Sequence, residues 1–207
     1  KAVSYAIDRE KILKTFYEER GRLANGPVPD VLRKWQMLFP YLYNPQEAKR
    51  IIDAEGFKGR TILFYITPEQ EVIDMAEIIQ SYLNKAGLKV RIKQLEWSAY
   101  KSAINKGEAD LFWLSWWADY PDPENFLFPL FHSSNHGASG NRSRYTNNEV
   151  DRLIEAGQKA LDISERDGYY RRAEKIIIEE APWVFFWHKT DFTLRQPYLK
   201  NYKIYPI

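Results

Sequence analysis

The chain contains no cysteine among its 207 residues. This absence excludes a disulfide framework, a thiolate nucleophile and a cysteine-ligated metal site. It does not assign a cellular compartment, because a chain without cysteine suits an oxidising environment as well as a reducing one.

The sequence also lacks a long apolar run and an excess of charge of either sign. No apolar segment reaches the roughly 20 residues that a membrane-spanning helix requires. The 30 lysines and arginines are balanced by 28 aspartates and glutamates, and the two signs are interspersed. This balance gives no electrostatic reason to expect a nucleic acid as a partner. A hydrophobic fraction of 44%, with 15% aromatic residues, predicts a folded domain with a substantial core.

The two ends of the sequence have the character of a segment of a longer protein. Neither an initiator methionine nor a signal peptide opens it, and residues 202–207 alternate as a β-strand does. We therefore expect a domain excised from a longer chain, with residues 1–207 forming one unit.

Apolar periodicity predicts an alternation of strands and helices in the middle of the chain. Residues 61–66, 89–95 and 111–117 predict strands, with amphipathic helices at 72–86 and 97–106 between them. Strands joined by single helices form a parallel sheet, so we predict an α/β fold with a mainly parallel open sheet flanked by helices. The unbroken apolar run 111–117 predicts the middle strand of that sheet. Further predictions are helices at 2–17, 45–55, 149–161 and 165–181, loops at 21–40 and 132–148, and strands at 183–188 and 192–195.

Four polar residues predict where helices begin. Asp8, Asn44, Thr67 and Ser164 each stand where a side-chain oxygen can accept a hydrogen bond from the first turn of a helix. Asp8 lies inside the segment 2–17 and is an internal cap there.

A candidate ligand site follows the predicted middle strand. Two prolines close behind Asp119 end any regular structure there. In open α/β sheets, ligands bind just beyond the carboxyl ends of the strands. Asp119 therefore presents a carboxylate at this edge, with Trp116, Trp117 and Tyr120 beside it. We expect these side chains to hold a ligand without reacting with it.

The orientation of the two adjacent tryptophans stays open from the residues alone. Successive side chains of a strand face opposite sides, so Trp116 and Trp117 cannot both face the ligand. Asn141 and Arg144, in the polar loop that follows, are further candidates for contact with it.

Other interpretations of these residues also stay open. Asp119 with Asp122 or Glu124 has the composition of a hydrolase acid and base, although Asp122 between prolines also suits a turn or a cap. His132 and His136 have a metal-compatible spacing but no third ligand nearby, so we predict neither a metal nor a cofactor. An interaction domain with an exposed aromatic surface is a third alternative.

Eight segments, in order and with matching spacing, resemble one known family. They are residues 2–12, 26–29, 43–48, 86–90, 116–127, 132–133, 145–147 and 179–183. Together they resemble the family 5 solute-binding proteins of bacterial ABC importers, which bind dipeptides and oligopeptides. The match extends over essentially the whole chain.

The resemblance implies a two-lobed receptor of the type II periplasmic-binding-protein fold, whose lobes close on a ligand around a hinge. Residues 1–207 then form the second, C-terminal lobe, and the N-terminal lobe lies outside this sequence. Such a receptor is not an enzyme. It is periplasmic or extracellular, and it delivers its ligand to ABC permease subunits of an inner membrane.

The resemblance also assigns roles to residues. In peptide-binding members, the aspartate of a W-x-x-D-Y segment pairs with the α-ammonium group of the ligand. Trp116 and Asp119 match that segment, so Asp119 takes this role and Trp116 forms a pocket wall. Some relatives have an arginine for the ligand carboxylate three residues before the tryptophan, and here that residue is Trp113. The match at Asp119 implies peptides as the ligand. The departure at Trp113 leaves oligosaccharides or nickel complexes as alternatives.

Overall fold

The computed structural model describes residues 1–17, 21–190 and 193–203. Its α-helices are α1 (Ala2–Ala6), α2 (Arg9–Phe16), α3 (Pro45–Ala54), α4 (Gln70–Lys85), α5 (Trp97–Lys106), α6 (Glu124–Phe131), α7 (Asn148–Lys159) and α8 (Ile163–Glu180). Its strands are β1 (Gly21–Leu23), β2 (Thr61–Ile66), β3 (Lys89–Gln94), β4 (Leu111–Phe112) and β5 (Trp187–Lys189). Three short 3-10 turns lie at Asp30–Leu32, Ser133–Asn135 and Gly137–Ser139.

A parallel sheet with the order β3-β2-β4 confirms the α/β prediction. The prediction that residues 111–117 form its middle strand was wrong. Within the described residues the middle strand is β2, and β4 pairs with it only through Leu111 and Phe112. The chain then leaves the sheet, because the carbonyl oxygen of Trp113 accepts a hydrogen bond from the hydroxyl of Tyr100 on α5.

Side-chain caps fix the beginning of four described helices, and Asn147 caps α7 by accepting from the backbone N–H groups of Glu149 and Val150 at 2.9 and 3.2 Å. Asp8, Asn44 and Asp162 each accept a hydrogen bond from the backbone N–H three residues later, at 2.9, 3.0 and 2.8 Å. Asp8 therefore divides the predicted helix 2–17 into α1 and α2. The prediction of Ser164 as a cap was wrong, because Asp162 caps α8 two residues earlier.

An antiparallel pair, β1 with β5, joins distant parts of the chain, with Gly21 opposite Lys189 and Leu23 opposite Trp187. The loop prediction for 21–40 was therefore wrong at its first three residues. The strand predicted at 183–188 begins only at Trp187. Of the strand predicted at 192–195, residues 193–195 form no strand and residue 192 lies outside the described residues.

The apolar side chains form two main cores, one on each side of the segment that carries Asp119. The first joins α1–α4 to the sheet, and the second joins α6, α7 and α8 to residues 24–41. In the second core, Gly157 of α7 lies directly against the ring of Tyr170 on α8.

A buried carboxylate ties residues 28–35 to α8. The side chain of Glu174 is completely buried and accepts hydrogen bonds from Arg33 Nη1 at 3.0 Å and Trp35 Nε1 at 2.7 Å. The backbone N–H of Val28 donates to the same carboxylate at 3.3 Å. Burial raises the pKa of Glu174, and the charge of Arg33 opposes that rise.

Candidate functional site

Asp119 lies in the turn between β4 and α6, and its residue is exposed. Its backbone N–H donates to Oδ1 of Asn125 at 3.0 Å, and Asn125 is buried in the first turn of α6. Within the described part of the chain, the Asp119 carboxylate has no hydrogen-bond or ion-pair partner. The turn therefore fixes the backbone of Asp119 and leaves its carboxylate facing solvent.

The other two acids of this turn are engaged with neighbours. Asp122 accepts from the backbone N–H of Glu124 at 2.8 Å and pairs with Arg166 of α8 at 2.6 Å. Glu124 accepts hydrogen bonds from Gln158 at 2.7 Å and from the hydroxyl of Tyr120. These bonds give Asp122 and Glu124 structural roles and do not favour the hydrolase interpretation.

Tyr120 is exposed beside Asp119, at the start of this turn. Its bond to Glu124 raises the pKa of the Tyr120 phenol above its ordinary value. The phenol therefore stays protonated as a donor at neutral pH. The ligand contact predicted for Tyr120 stays a prediction.

The structure separates the roles of the two adjacent tryptophans. Trp116 packs against the core of α6, α7 and α8, and its indole N–H is buried without a partner among the described residues. Trp117 points the opposite way, and 61% of its surface is exposed. Trp117 lines a cleft at the edge of the sheet, and Trp116 does not. The pocket-wall role implied for Trp116 stays a prediction, and its packing against the core does not favour that role.

The cleft lies where the three parallel strands end, and it has a volume of about 350 Å³. Segments that follow β2, β3 and β4 contribute to its wall, as the rule for open α/β sheets requires. The start of α4, the end of α2 and strand β5 complete the wall. The lining residues are Tyr17, Thr67, Glu69, Glu71, Val72, Met75, Trp97, Tyr100, Trp113, Leu114, Ser115, Trp117, Trp187 and Lys189.

The charged side chains of this lining are two acids and one base. Glu71 accepts a hydrogen bond from the hydroxyl of Tyr17, and Lys189 Nζ lies 5.7 Å from the centroid of the Tyr17 ring. A hydrogen bond from Thr67 lowers the pKa of Glu69. The prediction of Thr67 as the cap of α4 was wrong, because this helix begins after Glu69 and has no side-chain cap.

The sequence reasoning missed Glu69 and Glu71 as candidate site residues. Only Glu69 belonged to the predicted helix-start pattern at residues 67–70, and Glu71 belonged to no predicted feature. The strand-end rule that selected Asp119 applies equally to the segment after β2, and it was the signal that could have found both acids.

Trp113 occupies the position where some relatives have an arginine. Its ring lies 5.0 Å from the ring of Phe186 and 5.7 Å from that of Trp187, measured between centroids. It therefore packs as an apolar wall. Residues 111–117 contain no cationic side chain, so none of them replaces the arginine.

Asn141 is fully buried, and its amide is used within its own loop. Nδ2 donates to the carbonyl oxygens of His132 at 3.2 Å and Tyr145 at 2.8 Å, and Oδ1 accepts from the N–H of Tyr145 at 3.0 Å and from Ser143 at 3.1 Å. The surface loop predicted at 132–148 thus has a buried centre. The ligand contact predicted for Asn141 stays a prediction, and its geometry favours a structural role.

Arg144 is also engaged near this loop, because its Nη2 donates to the carbonyl oxygen of Asn105 at 3.0 Å. His132 and His136 do not converge on a shared site: His132 lies against Ser134 and Glu155, and His136 against Tyr145 and Thr146. In the described ranges no group of three potential metal ligands is found. No described helix is long and apolar enough to span a membrane.

Comparison with known proteins shows the family. Residues 1–138 match the family described as bacterial extracellular solute-binding proteins, family 5 Middle. Heme-binding protein A of Haemophilus influenzae is 31% identical over 208 residues, which is 97% of this chain and 38% of that protein. Probable di/tripeptide-binding protein 5 of Pseudomonas aeruginosa is 28% identical over 99% of this chain and 40% of its own length.

A solved structure is similar to this chain in fold as well as in sequence. The periplasmic binding protein DppA of Helicobacter pylori, in complex with the peptide STSA, superposes with a TM-score of 0.85 at 28% identity. The superposition covers 91% of this chain and 37% of that one, and it confirms the predicted type II periplasmic-binding-protein fold class. The chain spans about two fifths of the length of these relatives. It belongs to the bacterial extracellular solute-binding proteins of family 5.

Proposed function

We propose that this chain is the second, C-terminal lobe of a peptide receptor that supplies a bacterial ABC importer. The observation that carries the proposal is the Asp119 carboxylate, which is exposed in the turn between β4 and α6 while a buried amide holds its backbone. The named di/tripeptide-binding relative and the peptide-bound DppA structure support a peptide as the ligand. Residues 1–207 act as one lobe, and the N-terminal lobe supplies the opposite wall of the cleft.

Binding in this proposal makes and breaks no bond. Asp119 accepts the charge-assisted hydrogen bonds of the α-ammonium group, and Trp117 and Tyr120 border it. Closure of the lobes removes water from the ion pair and strengthens it. The ligand shifts the population from open to closed receptors, and the closed form is what the permease recognises. The receptor acts outside the cytoplasmic membrane, in the periplasm or at the cell surface, and its partners include no nucleic acid.

Calorimetry on the two-lobed receptor tests the role of Asp119. Asp119→Asn is expected to weaken binding of a short peptide about 10- to 100-fold, since a hydrogen bond to a charged group contributes roughly 1.5–3 kcal/mol. N-acetylation of the peptide removes the ammonium group and is expected to weaken binding to the same extent. Asp53→Asn, at an exposed residue of α3, is the matched control and retains wild-type affinity. Unchanged affinity in Asp119→Asn contradicts the proposal, and hydrolysis products after incubation assign the chain to a hydrolase.

The proposal of a shared cleft has its own test. An ion pair in open solvent contributes only about 0–1 kcal/mol. The isolated chain 1–207 is therefore expected to bind the peptide far more weakly than the two-lobed receptor. Equal affinities contradict a cleft shared between lobes.

Haem is the second ligand to include, because one relative is named a heme-binding protein and the cleft has several tryptophans. Haem has no α-ammonium group. Tight haem binding that Asp119→Asn leaves unchanged, together with no measurable peptide binding, favours that ligand over peptides.

A further inference from the structure

The cleft at the ends of the parallel strands has an acidic wall formed by Glu69 and Glu71, and Asp119 is not among its lining residues. Both carboxylates lie on the segment that leads from β2 into α4, whereas Asp119 follows β4. The described lining contains these two acids and one base, Lys189. In the described part of the chain, neither carboxylate forms an ion pair. The cleft wall therefore has an excess of negative charge without a cation to neutralise it fully.

The surroundings of Glu69 favour its charged form. The bond from Thr67 lowers the pKa of Glu69. The N-terminal end of α4, which begins at Gln70, also stabilises negative charge beside it. Glu71 is held in place by its hydrogen bond from the Tyr17 hydroxyl.

Aromatic rings adjoin the two carboxylates in the same cleft. Trp97 is 53% exposed and Trp117 is 61% exposed. Lys101 Nζ lies 5.5 Å from the centroid of the Trp97 ring, so one cation already occupies that ring. The Trp117 ring has neither an aromatic partner nor a cation among the described residues, and it is an exposed part of the cleft lining.

Carboxylates beside open indole rings are the combination that binds cations. A guanidinium or ammonium group gains charge-assisted hydrogen bonds from the carboxylates and a cation–π contact from the ring. We infer that Glu69, Glu71 and Trp117 form a subsite for a positively charged side chain, so that the receptor prefers peptides containing arginine or lysine. This inference rests on the proposed function and adds a ligand class to it.

Two series of tripeptides test the inference on the two-lobed receptor. One series has arginine at each position in turn among alanines, and the other has citrulline, which has nearly the same shape without the charge. At the position that enters the subsite, the arginine peptide is expected to bind about tenfold more tightly than its citrulline partner, a difference of about 1.4 kcal/mol. The double variant Glu69→Gln/Glu71→Gln removes that difference, and Glu77→Gln, at an exposed residue of α4, retains it.

The outcomes separate this inference from the proposed function. If both series bind equally and both depend on Asp119, the inference is wrong and the peptide receptor stands. The inference is also wrong if the preference for arginine persists in the double variant. If no peptide binds, the proposed function and the inference both fail.

Discussion

Asn125 holds Asp119 in place through a single hydrogen bond, from the backbone N–H of Asp119 to the buried side-chain oxygen, at 3.0 Å. The two residues lie six positions apart, across a turn that no backbone ladder stabilises. Asn125 is therefore a positioning residue for the candidate site. In the proposed receptor it acts on the ligand through Asp119, and its side chain also forms a hydrogen bond with Tyr120.

Replacement of Asn125 by alanine tests this relationship. We expect Asn125→Ala to weaken peptide binding and to lower the free energy of unfolding by about 1 kcal/mol, the usual contribution of one hydrogen bond. In Asn125→Ala, N-acetylation of the peptide should weaken binding less than in the wild type, because a displaced Asp119 no longer recognises the ammonium group. Calorimetry with both peptides measures this, and Asn148→Ala, at an exposed asparagine of α7, is the control. Equal losses on acetylation in wild type and variant contradict a positioning role.

Replacement by alanine is expected to change the free energy of unfolding in opposite directions at two glycines that lie in helices. A Cβ on Gly157 would lie 2.2 Å from a ring carbon of the fully buried Tyr170, whereas a Cβ on Gly168 of α8 meets nothing within 4 Å. Gly157→Ala is therefore expected to destabilise the fold by roughly 1–3 kcal/mol through overpacking. Gly168→Ala should stabilise it by about 0.5–1 kcal/mol, because alanine favours the helix more than glycine does. Urea unfolding measures both, and a stabilised Gly157→Ala variant contradicts the close approach of α7 and α8.

Two glutamates of α8 form ion pairs in different surroundings. Glu174→Ala removes the buried partner of Arg33, which then keeps only the half-exposed Asp30, and is expected to cost about 3–5 kcal/mol of stability. Glu179 pairs with Lys175 at 3.8 Å in an exposed position, so Glu179→Ala is expected to cost at most about 1 kcal/mol. Denaturant unfolding of both variants compares the two costs. Similar losses in the two variants would mean that the buried network contributes no more than a surface pair.

The buried side chain of His188 is expected to make the fold less stable in mild acid. Burial lowers its pKa below the ordinary value of 6.5, and the charge of Asp30 opposes this while that of Arg33 adds to it. Below pH 6.5 the His188 side chain of the unfolded chain binds a proton, whereas that of the folded chain stays neutral. The free energy of unfolding therefore decreases as the pH falls from 6.5 towards the lower pKa of the folded state. Urea unfolding at about pH 7.5 and about pH 5.5 should show a smaller loss in His188→Gln than in the wild type. Identical losses in the two proteins would assign the acid sensitivity to other groups.

Local patterns were sufficient for strands β2 and β3 and for two of the four predicted helix caps. The strands β2 and β3 were predicted within one residue of their bounds, and Asp8 and Asn44 cap helices as expected. These features depend on side-chain alternation and on hydrogen bonds between residues three apart. A single sequence contains both kinds of information.

The pair β1–β5 and the short β4 could not be predicted in this way. Gly21 pairs with Lys189, a residue far along the chain, and no local pattern at Gly21 indicates a strand. The apolar run after Phe112 looks like a strand, but its tryptophans are apolar because they fill a core and a cleft wall. Apolar composition alone does not distinguish these uses from sheet pairing.

Some features of the candidate site could likewise be predicted from the sequence, and others could not. Sequence alone determined the α/β fold, because that fold follows from the order of short segments, and it predicted the carboxylate of Asp119 as a ligand contact, although β4 ends at Phe112, seven residues before it. Only the tertiary structure decided that Trp117 and not Trp116 faces the cleft, and that Glu69 and Glu71 share its wall. Those facts depend on contacts between segments that the chain brings together only on folding, and residue order does not encode their distances directly.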